Sequence, residues 1–211
     1  MQEEQRISEI IRLLHEEYPN AKIALNFSNP LELLVAVVLS AQCTDKKVNE
    51  VTFYLFKKYK TVEDCAYASP EEFEKDIKPT GFYHNKAKNI IAAANMIIEK
   101  FNGQIPRTMD EILELPGVAR KTANIVLGNA YGVVEGVAVD THVKRVTFRL
   151  AFTKEKDPVK IEKDLMRVLL KEEWFPFTYV LIDHGRTLCT AKNVRCDICP
   201  VNHLCPSAFK A

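Results

Sequence analysis

Residues 115–123 read Leu-Pro-Gly-Val-Ala-Arg-Lys-Thr-Ala, and they join two predicted helices through a Pro-Gly turn. One short helix ends near Leu115, and the next begins near Arg120. Gly117 permits a left-handed turn and the close approach of a phosphate group. The backbone N–H groups at a helix start, with the positive end of the helix dipole, suit an anion. A plain helix-helix corner and a phosphate site fit this stretch about equally well.

Lys121 and Asp140, which both follow this turn in the sequence, are candidate catalytic residues. Lys121 falls in the first turn of the second helix, where the helix dipole disfavours a positive charge. A neutral lysine amine is a nucleophile toward a sugar C1′ atom and can form a Schiff base, although most lysines are simply solvated. Asp140 fits the N-cap of the next helix, and its functional alternative is a carboxylate held near Lys121. For His142, the sequence favours a packed or solvent-facing histidine over a switch or a ligand.

Helical signals continue outward from the hairpin in both directions. Helix starts are predicted at Asn29, followed by Pro30, and at two capping boxes that open with Ser69 and Thr108. No strand alternation, internal repeat or low-complexity linker is found in the sequence. The sequence therefore predicts an all-α fold. The predicted helices include 31–39, 85–101, 109–115, 158–170 and 174–188, with others beginning near 120 and after 140.

The composition is typical of a soluble globular protein. The chain has 211 residues, of which 47% are hydrophobic and 27% are charged. These values exclude a disordered tail, a collagen-like fibre and a coiled-coil rod. The N-terminus is polar, unlike a secretion signal, and the longest apolar run, 33–39, is far shorter than the roughly 20 residues that span a bilayer. We expect a cytoplasmic monomer with no membrane partner.

Four of the six cysteines fall in one short stretch, namely Cys189, Cys196, Cys199 and Cys205. The central Cys-x2-Cys pair can reach one metal centre, and the flanking loops are long enough to bring the outer two around it. Four thiolates suit either a four-iron cluster or a tetrahedral zinc ion, and composition does not separate the two. Cys43 and Cys65 lack such spacing, and we interpret them as ordinary buried cysteines.

Together these motifs resemble the helix-hairpin-helix DNA glycosylases, and among them the bifunctional glycosylase and lyase enzymes of base-excision repair. The resemblance rests on the order and spacing of the hairpin, the segment 139–142, the four-cysteine loop, and the pieces 39–45 and 81–87. It covers nearly the whole chain. It implies two helical domains flanking a cleft. One domain is 23–134 and contains the hairpin at about 109–130. The other joins 1–22 to 135–211 and carries a [4Fe-4S] cluster in the loop 189–205.

The resemblance also implies roles for individual residues. Lys121 matches the nucleophile, and Asp140 matches the essential carboxylate. Gln42 matches the residue that fills the gap left by a flipped base. Phe82 stands where the family usually has an aliphatic wedge. The further DNA contacts implied by position are Gly117, Val118, Ala119, Arg120, Thr122, His142, Lys192 and Arg195.

Some of these positions depart from the family pattern or allow a second interpretation. Ala119 replaces the second glycine of the usual hairpin. An alanine there costs roughly 1–2 kcal/mol if the position is left-handed, and nothing if it is helical. Lys192 and Arg195 fit phosphate contacts, but they also fit a solvated loop surface.

The implied activity is removal of oxidised pyrimidines from duplex DNA through a lysine Schiff base, followed by a β-elimination that nicks the strand. The implied substrates are DNA with damaged pyrimidines or abasic sites, and the enzyme would associate with the nucleoid. Adenine-mismatch relatives typically lack the lysine at 121 and carry an extra C-terminal domain, and thymine-mismatch relatives have a tyrosine there. A non-catalytic iron-sulfur DNA-binding module would not need both Lys121 and Asp140. An electron-transfer iron-sulfur protein would need no hairpin.

The distribution of charge agrees with a DNA partner better than the net charge does. The formal net charge is only +1, from 29 Lys and Arg against 28 Asp and Glu. The segment 117–149, however, holds five basic residues against two acidic ones. This asymmetry predicts a cationic face, and therefore modest affinity with strong salt sensitivity.

Overall fold

The predicted helix starts at Asn29, Ser69 and Thr108 are all present. The computed structural model describes residues 2–210, and each of these three side chains accepts a hydrogen bond from the backbone N–H three residues later. The two predicted capping boxes are only half formed, since neither Glu72 nor Glu111 returns its carboxylate to the N-cap backbone. The Glu111 carboxylate accepts from the Thr108 hydroxyl instead, and the Glu72 carboxylate accepts from Lys58.

Residues 2–210 contain eleven α-helices and no β-strand, which confirms the predicted all-α fold. In chain order the helices are α1 (Glu3–Glu17), α2 (Pro30–Leu39), α3 (Asp45–Lys58), α4 (Val62–Ala66), α5 (Pro70–Ile77), α6 (Tyr83–Phe101), α7 (Met109–Ile112), α8 (Arg120–Tyr131), α9 (Thr141–Arg149), α10 (Pro158–Val168) and α11 (Pro176–Thr187). Short 3₁₀ turns cover Lys78–Thr80, Lys171–Glu173, Cys196–Ile198 and Asn202–Leu204.

Several helix ends differ from the predicted ones. α7 ends at Ile112 rather than at 115. The chain continues as a tight turn, in which the Leu115 amide donates to the Ile112 carbonyl. A tight turn is expected there because a residue before proline disfavours the helical conformation. α11 begins at Pro176 rather than at 174, since proline favours the first helical position.

The chain divides into two units by its internal contacts. The hairpin unit is Ala24–Glu135, and the cysteine unit comprises Met1–Ile23 and Gly136–Ala211. In the hairpin unit, α2 packs against α8, and α4 and α5 pack against α6. All the apolar side chains of α2 after Pro30 are buried, as expected for a central helix.

The cysteine unit has its own hydrophobic core, in which α9 and α1 pack against α11. Ile10, Val143 and Phe177 are fully buried there, and Val201 from the cysteine loop joins the same core. The cysteine loop is therefore part of the packed unit. Nowhere in 2–210 does a helix combine the length and the apolar character needed to cross a membrane.

The two cysteines outside the loop differ from each other. Cys65 is buried in α4, and this burial raises the pKa of its thiol to about 12. Cys43 is only half-buried, which corrects the expectation that both cysteines are buried. Cys43 lies in the turn between α2 and α3, where no helix face directs it into the core.

Candidate active site and cysteine cavity

The turn between α7 and α8 has the backbone geometry that the sequence predicts. Gly117 has a φ of +80°, in the left-handed region, and it is exposed. The Val118 amide donates to the Leu115 carbonyl at 3.1 Å, and the Val118 side chain is buried. The turn is thus anchored by Val118, while Gly117 presents bare backbone to solvent.

A side chain at Gly117 would meet its neighbours as well as strain the backbone. A Cβ atom built there would lie 2.8 Å from both Cβ and the amide nitrogen of Asn89, on α6. The close approach involves Asn89 Cβ, which cannot rotate away, so α6 would have to move. The hairpin therefore depends on glycine for two independent reasons.

We expect Gly117→Ala to lower stability by more than the roughly 1–2 kcal/mol of left-handed strain alone. Gly132→Ala is the matched control, since Gly132 has a φ of +66° but no atom within 4 Å of a built Cβ. Urea unfolding of both variants checks the difference. Equal losses in the two variants would show that the Asn89 contact relaxes without cost.

Ala119 is the N-cap of α8, and its backbone is neither left-handed nor helical. It has a φ of −98° and a ψ of 169°, which is extended backbone that any residue adopts. Alanine in place of the family glycine is therefore unstrained, an outcome outside the two cases considered from the sequence. Ala119 also has no side chain that could cap α8.

Lys121 is the second residue of α8, and its side chain is exposed. Arg120 and Thr122 on either side of it are half-buried. The nucleophile candidate is therefore accessible, in the first helical turn directly after the Pro-Gly corner. An amine in that position lies beside the positive end of the helix dipole.

Asp140 is the N-cap of α9, as the sequence predicts. Its Oδ1 atom accepts hydrogen bonds from the backbone N–H groups of His142 and Val143, both at 2.8 Å. Because one oxygen serves both amides, the cap does not need Oδ2. Asp140 is half-buried and belongs to the cysteine unit, whereas Lys121 belongs to the hairpin unit.

Gln42 and Phe82 share an unusual backbone conformation. Their φ values are +53° and +47°, and both side chains are exposed, Phe82 by 62%. Non-glycine residues rarely adopt positive φ, and such strain concentrates at functional sites. The two residues that the resemblance assigns to the DNA gap are thus both held in strained, outward-facing positions.

The other predicted DNA contacts occupy varied settings. His142 is half-buried beside Gly185, and its Nδ1 lies 3.2 Å from Arg145 Nη2, so it is a packed histidine. Lys192 and Arg195 are exposed on the cysteine loop.

The four loop cysteines line one cavity of about 20 Å³ in the cysteine unit, together with His184. Burial, together with the neighbouring cysteines, raises the pKa of the Cys199 thiol to about 11. Within 2–210, no three or more Cys, His, Asp or Glu side chains form a group that could hold a single metal ion. The donor set is therefore four free thiols around one space.

Arg145 and Arg149, two of the five basic residues counted in the segment 117–149, support this loop. Arg149 Nη1 donates to the Thr190 carbonyl at 2.7 Å and lies 3.4 Å from Cys189 Sγ. Arg145 donates to the carbonyls of Gly185 and Cys189 at 2.7 and 3.1 Å. In the sequence, their spacing of one helical turn was the only indication that both arginines face the same segment. Both arginines are therefore structural contacts between α9 and the loop.

The fold, the uncapped hairpin helix and the cysteine loop define a helix-hairpin-helix protein of DNA base-excision repair. Residues 35–171 match the family model described as "HhH-GPD superfamily base excision DNA repair protein".

The chain is 50% identical over 204 residues to endonuclease III of Synechocystis sp., which covers 97% of this chain and 93% of that protein. It is 51% identical over 194 residues to endonuclease III of Bacillus subtilis, covering 92% and 88%. A solved structure of a trapped covalent intermediate of endonuclease III with DNA matches with a TM-score of 0.94 and 45% identity, covering 99% and 98%. The chain belongs to the endonuclease III family, which confirms the resemblance seen in the sequence.

Proposed function

We propose that this protein is a bifunctional DNA glycosylase and abasic-site lyase of base-excision repair. The observation that carries the proposal is the exposed Lys121 at the start of α8. The chain around it closely matches an enzyme that has been trapped in a covalent bond with DNA. A covalent intermediate requires a nucleophile, and a lysine amine that attacks a sugar supplies one.

Lys121 is the nucleophile in this proposal, and Asp140 is its carboxylate partner. The amine attacks C1′ of the damaged nucleotide, and the glycosidic bond breaks with its electron pair leaving on the base. Asp140 takes up the proton that the amine loses and stabilises the positive charge on the sugar. A Schiff base forms as the sugar ring opens. Loss of a proton from C2′ then expels the 3′ phosphate, and water releases the enzyme.

The damaged base must first leave the duplex, since its sugar is otherwise inaccessible. We assign Gln42 and Phe82 to the vacated stack, because both project from strained turns into solvent. The hairpin holds a phosphate with backbone from Gly117 to Thr122. His142, Lys192 and Arg195 remain candidate phosphate contacts. The protein would act as a monomer, in the cytoplasm at the nucleoid.

We further propose that the four loop cysteines hold a [4Fe-4S] cluster. Four thiols lining one cavity suit this group, and membership of the endonuclease III family favours a cluster over zinc. Bound there, the cluster would cross-link the loop to the core of the cysteine unit. We assign the cluster a structural role in this loop, which Arg145 and Arg149 also hold against α9.

We expect the purified protein to be yellow-brown and to contain about four irons per chain. Removing the iron lowers the thermal stability of the protein, because metal binding and folding are coupled when the ligands come from a loop. Iron analysis and thermal unfolding before and after chelation check this. Colourless protein with one zinc per chain would refute the cluster.

A mismatch glycosylase of the same fold is the second candidate function. Lys121 argues against it, since adenine- and thymine-mismatch relatives usually have another residue there. The deciding experiment is a cleavage panel of duplexes containing thymine glycol, an abasic site, an A·G mismatch or a G·T mismatch. We expect cleavage of the first two without alkali. Base removal only at a mismatch would favour the second candidate, and binding without cleavage would favour a non-catalytic module.

A further inference from the structure

Lys86, on α6, is a buried lysine in the hairpin unit with no role in the chemistry described above. Its side chain is 5% exposed, and burial lowers its pKa. Its Nζ donates to the Leu39 carbonyl at 2.8 Å and to the Thr80 carbonyl at 2.9 Å. An amine is costly to bury unless it is hydrogen-bonded, so these two contacts explain how Lys86 is tolerated.

The two carbonyls stand at the bases of two separate turns. Leu39 is the last residue of α2, and Gln42 follows three residues later. Thr80 ends a 3₁₀ turn, and Phe82 follows two residues later. One ammonium group therefore connects the segment that carries Gln42 to the segment that carries Phe82.

Two backbone hydrogen bonds of these turns each stay within one segment. The Cys43 amide bonds the Ser40 carbonyl at 3.1 Å, and the Gly81 amide bonds the Lys78 carbonyl at 3.2 Å. Such bonds shape each turn but do not set the distance between the turns. The strained φ of Gln42 and of Phe82 persists only if the surroundings hold it. Lys86 contributes the link between the two.

We propose that Lys86 is a positioning residue for base flipping, which holds Gln42 and Phe82 in the mutual register that the DNA gap requires. This inference rests on the proposed function. Lys86 is too buried to contact DNA, and it acts through the two turns. Its loss therefore impairs the reaction on duplex DNA, where a gap must be filled. The lyase reaction on a single-stranded abasic site, which leaves no such gap, is spared.

The first test is Lys86→Met, which keeps the length of the side chain but removes its donors. We expect kcat/KM on a thymine-glycol duplex to fall by about tenfold or more, since small displacements of positioning groups are costly. Cleavage of a single-stranded abasic oligonucleotide changes by less than about twofold. The fluorescence rise of 2-aminopurine opposite the lesion, which reports unstacking, is reduced. Equal losses on both substrates would mean that Lys86 only supports the fold, and would overturn the proposal.

A second test asks whether Lys86 acts through the two exposed residues. In the Gln42→Ala/Phe82→Ala background, adding Lys86→Met should cause no further loss on duplex DNA, because the positioned side chains are already gone. A further tenfold loss in that background contradicts the proposal. Gln42→Ala/Phe82→Ala by itself should lower activity on duplex DNA at least as much as Lys86→Met does.

Two further variants keep the test decisive if Lys86→Met does not fold. Lys86→Gln keeps N–H donors without a charge, and Lys86→Arg keeps a cation that can reach two carbonyls. We expect the duplex-to-single-strand activity ratio to recover at least partly in Lys86→Arg. A folded variant of either kind that loses activity equally on both substrates overturns the proposal. Failure of the proposed function is distinguishable, because the wild-type protein would then cleave neither substrate.

Discussion

Lys121→Ala is expected to abolish covalent trapping of DNA and to lower strand cleavage by roughly 10³-fold or more, as removal of a nucleophile does in other enzymes. The reason is that the amine supplies the bond to C1′, and no other group replaces it. The measurement is borohydride reduction during reaction with abasic or thymine-glycol duplex DNA, followed by denaturing electrophoresis. Wild-type protein should form a covalent adduct with DNA, and the variant should not.

Two controls separate the nucleophile from its charge. Lys121→Arg keeps the cation, but a guanidinium does not lose its proton and cannot attack. It should therefore bind DNA like the wild type and remain inactive. Lys75→Ala removes another exposed lysine of the hairpin unit and should leave trapping intact. Adduct formation that survives in Lys121→Ala would show that another residue is the nucleophile.

Asp140→Asn is expected to leave stability nearly unchanged while lowering activity by about 10²-fold or more, the usual range for a general acid or base. Asparagine caps a helix about as well as aspartate, and its amide oxygen can accept the two bonds that Oδ1 accepts now. It cannot take up a proton or balance a positive charge. Urea unfolding and single-turnover cleavage of the same preparation check the two effects.

Asp140→Ala completes the comparison. It loses the cap as well as the charge, so we expect a further destabilisation of about 1 kcal/mol, with activity as low as in Asp140→Asn. If Asp140→Asn kept full activity, Asp140 would be only a helix cap, and its proposed part in the reaction would be wrong.

Much of the fold is predictable because its signals are local. Asn29 and Asp140 cap the helices that follow them, and Pro30 occupies the first helical position as expected. A side chain that bonds backbone two or three residues away needs no distant partner. The Pro-Gly turn at 116–117 is predictable for the same reason, since proline and glycine restrict or release their own backbone.

Other features needed partners that are distant in sequence. Lys86 lies on the apolar stripe of α6 with Ile90 and Ile97, and a lysine on such a stripe was the only signal of its burial. Its two carbonyl partners come from other segments, 47 and 6 residues away. Arg149 was only one of the basic residues counted in 117–149, and only the packed cysteine unit shows that it bonds the loop 40 residues further on.

The sequence by itself determined the helical class, the hairpin, the capping role of Asp140 and the grouping of four cysteines, because each depends on residue type and short spacing. The tertiary structure decided that Ala119 is unstrained and that Gly117 is packed against Asn89. It also decided which lysines and arginines form hydrogen bonds within the protein. These depend on backbone angles and on contacts between distant segments, and packing sets both. Whether a charged residue acts in function or in structural hydrogen bonding depends on the partners that the fold brings to it.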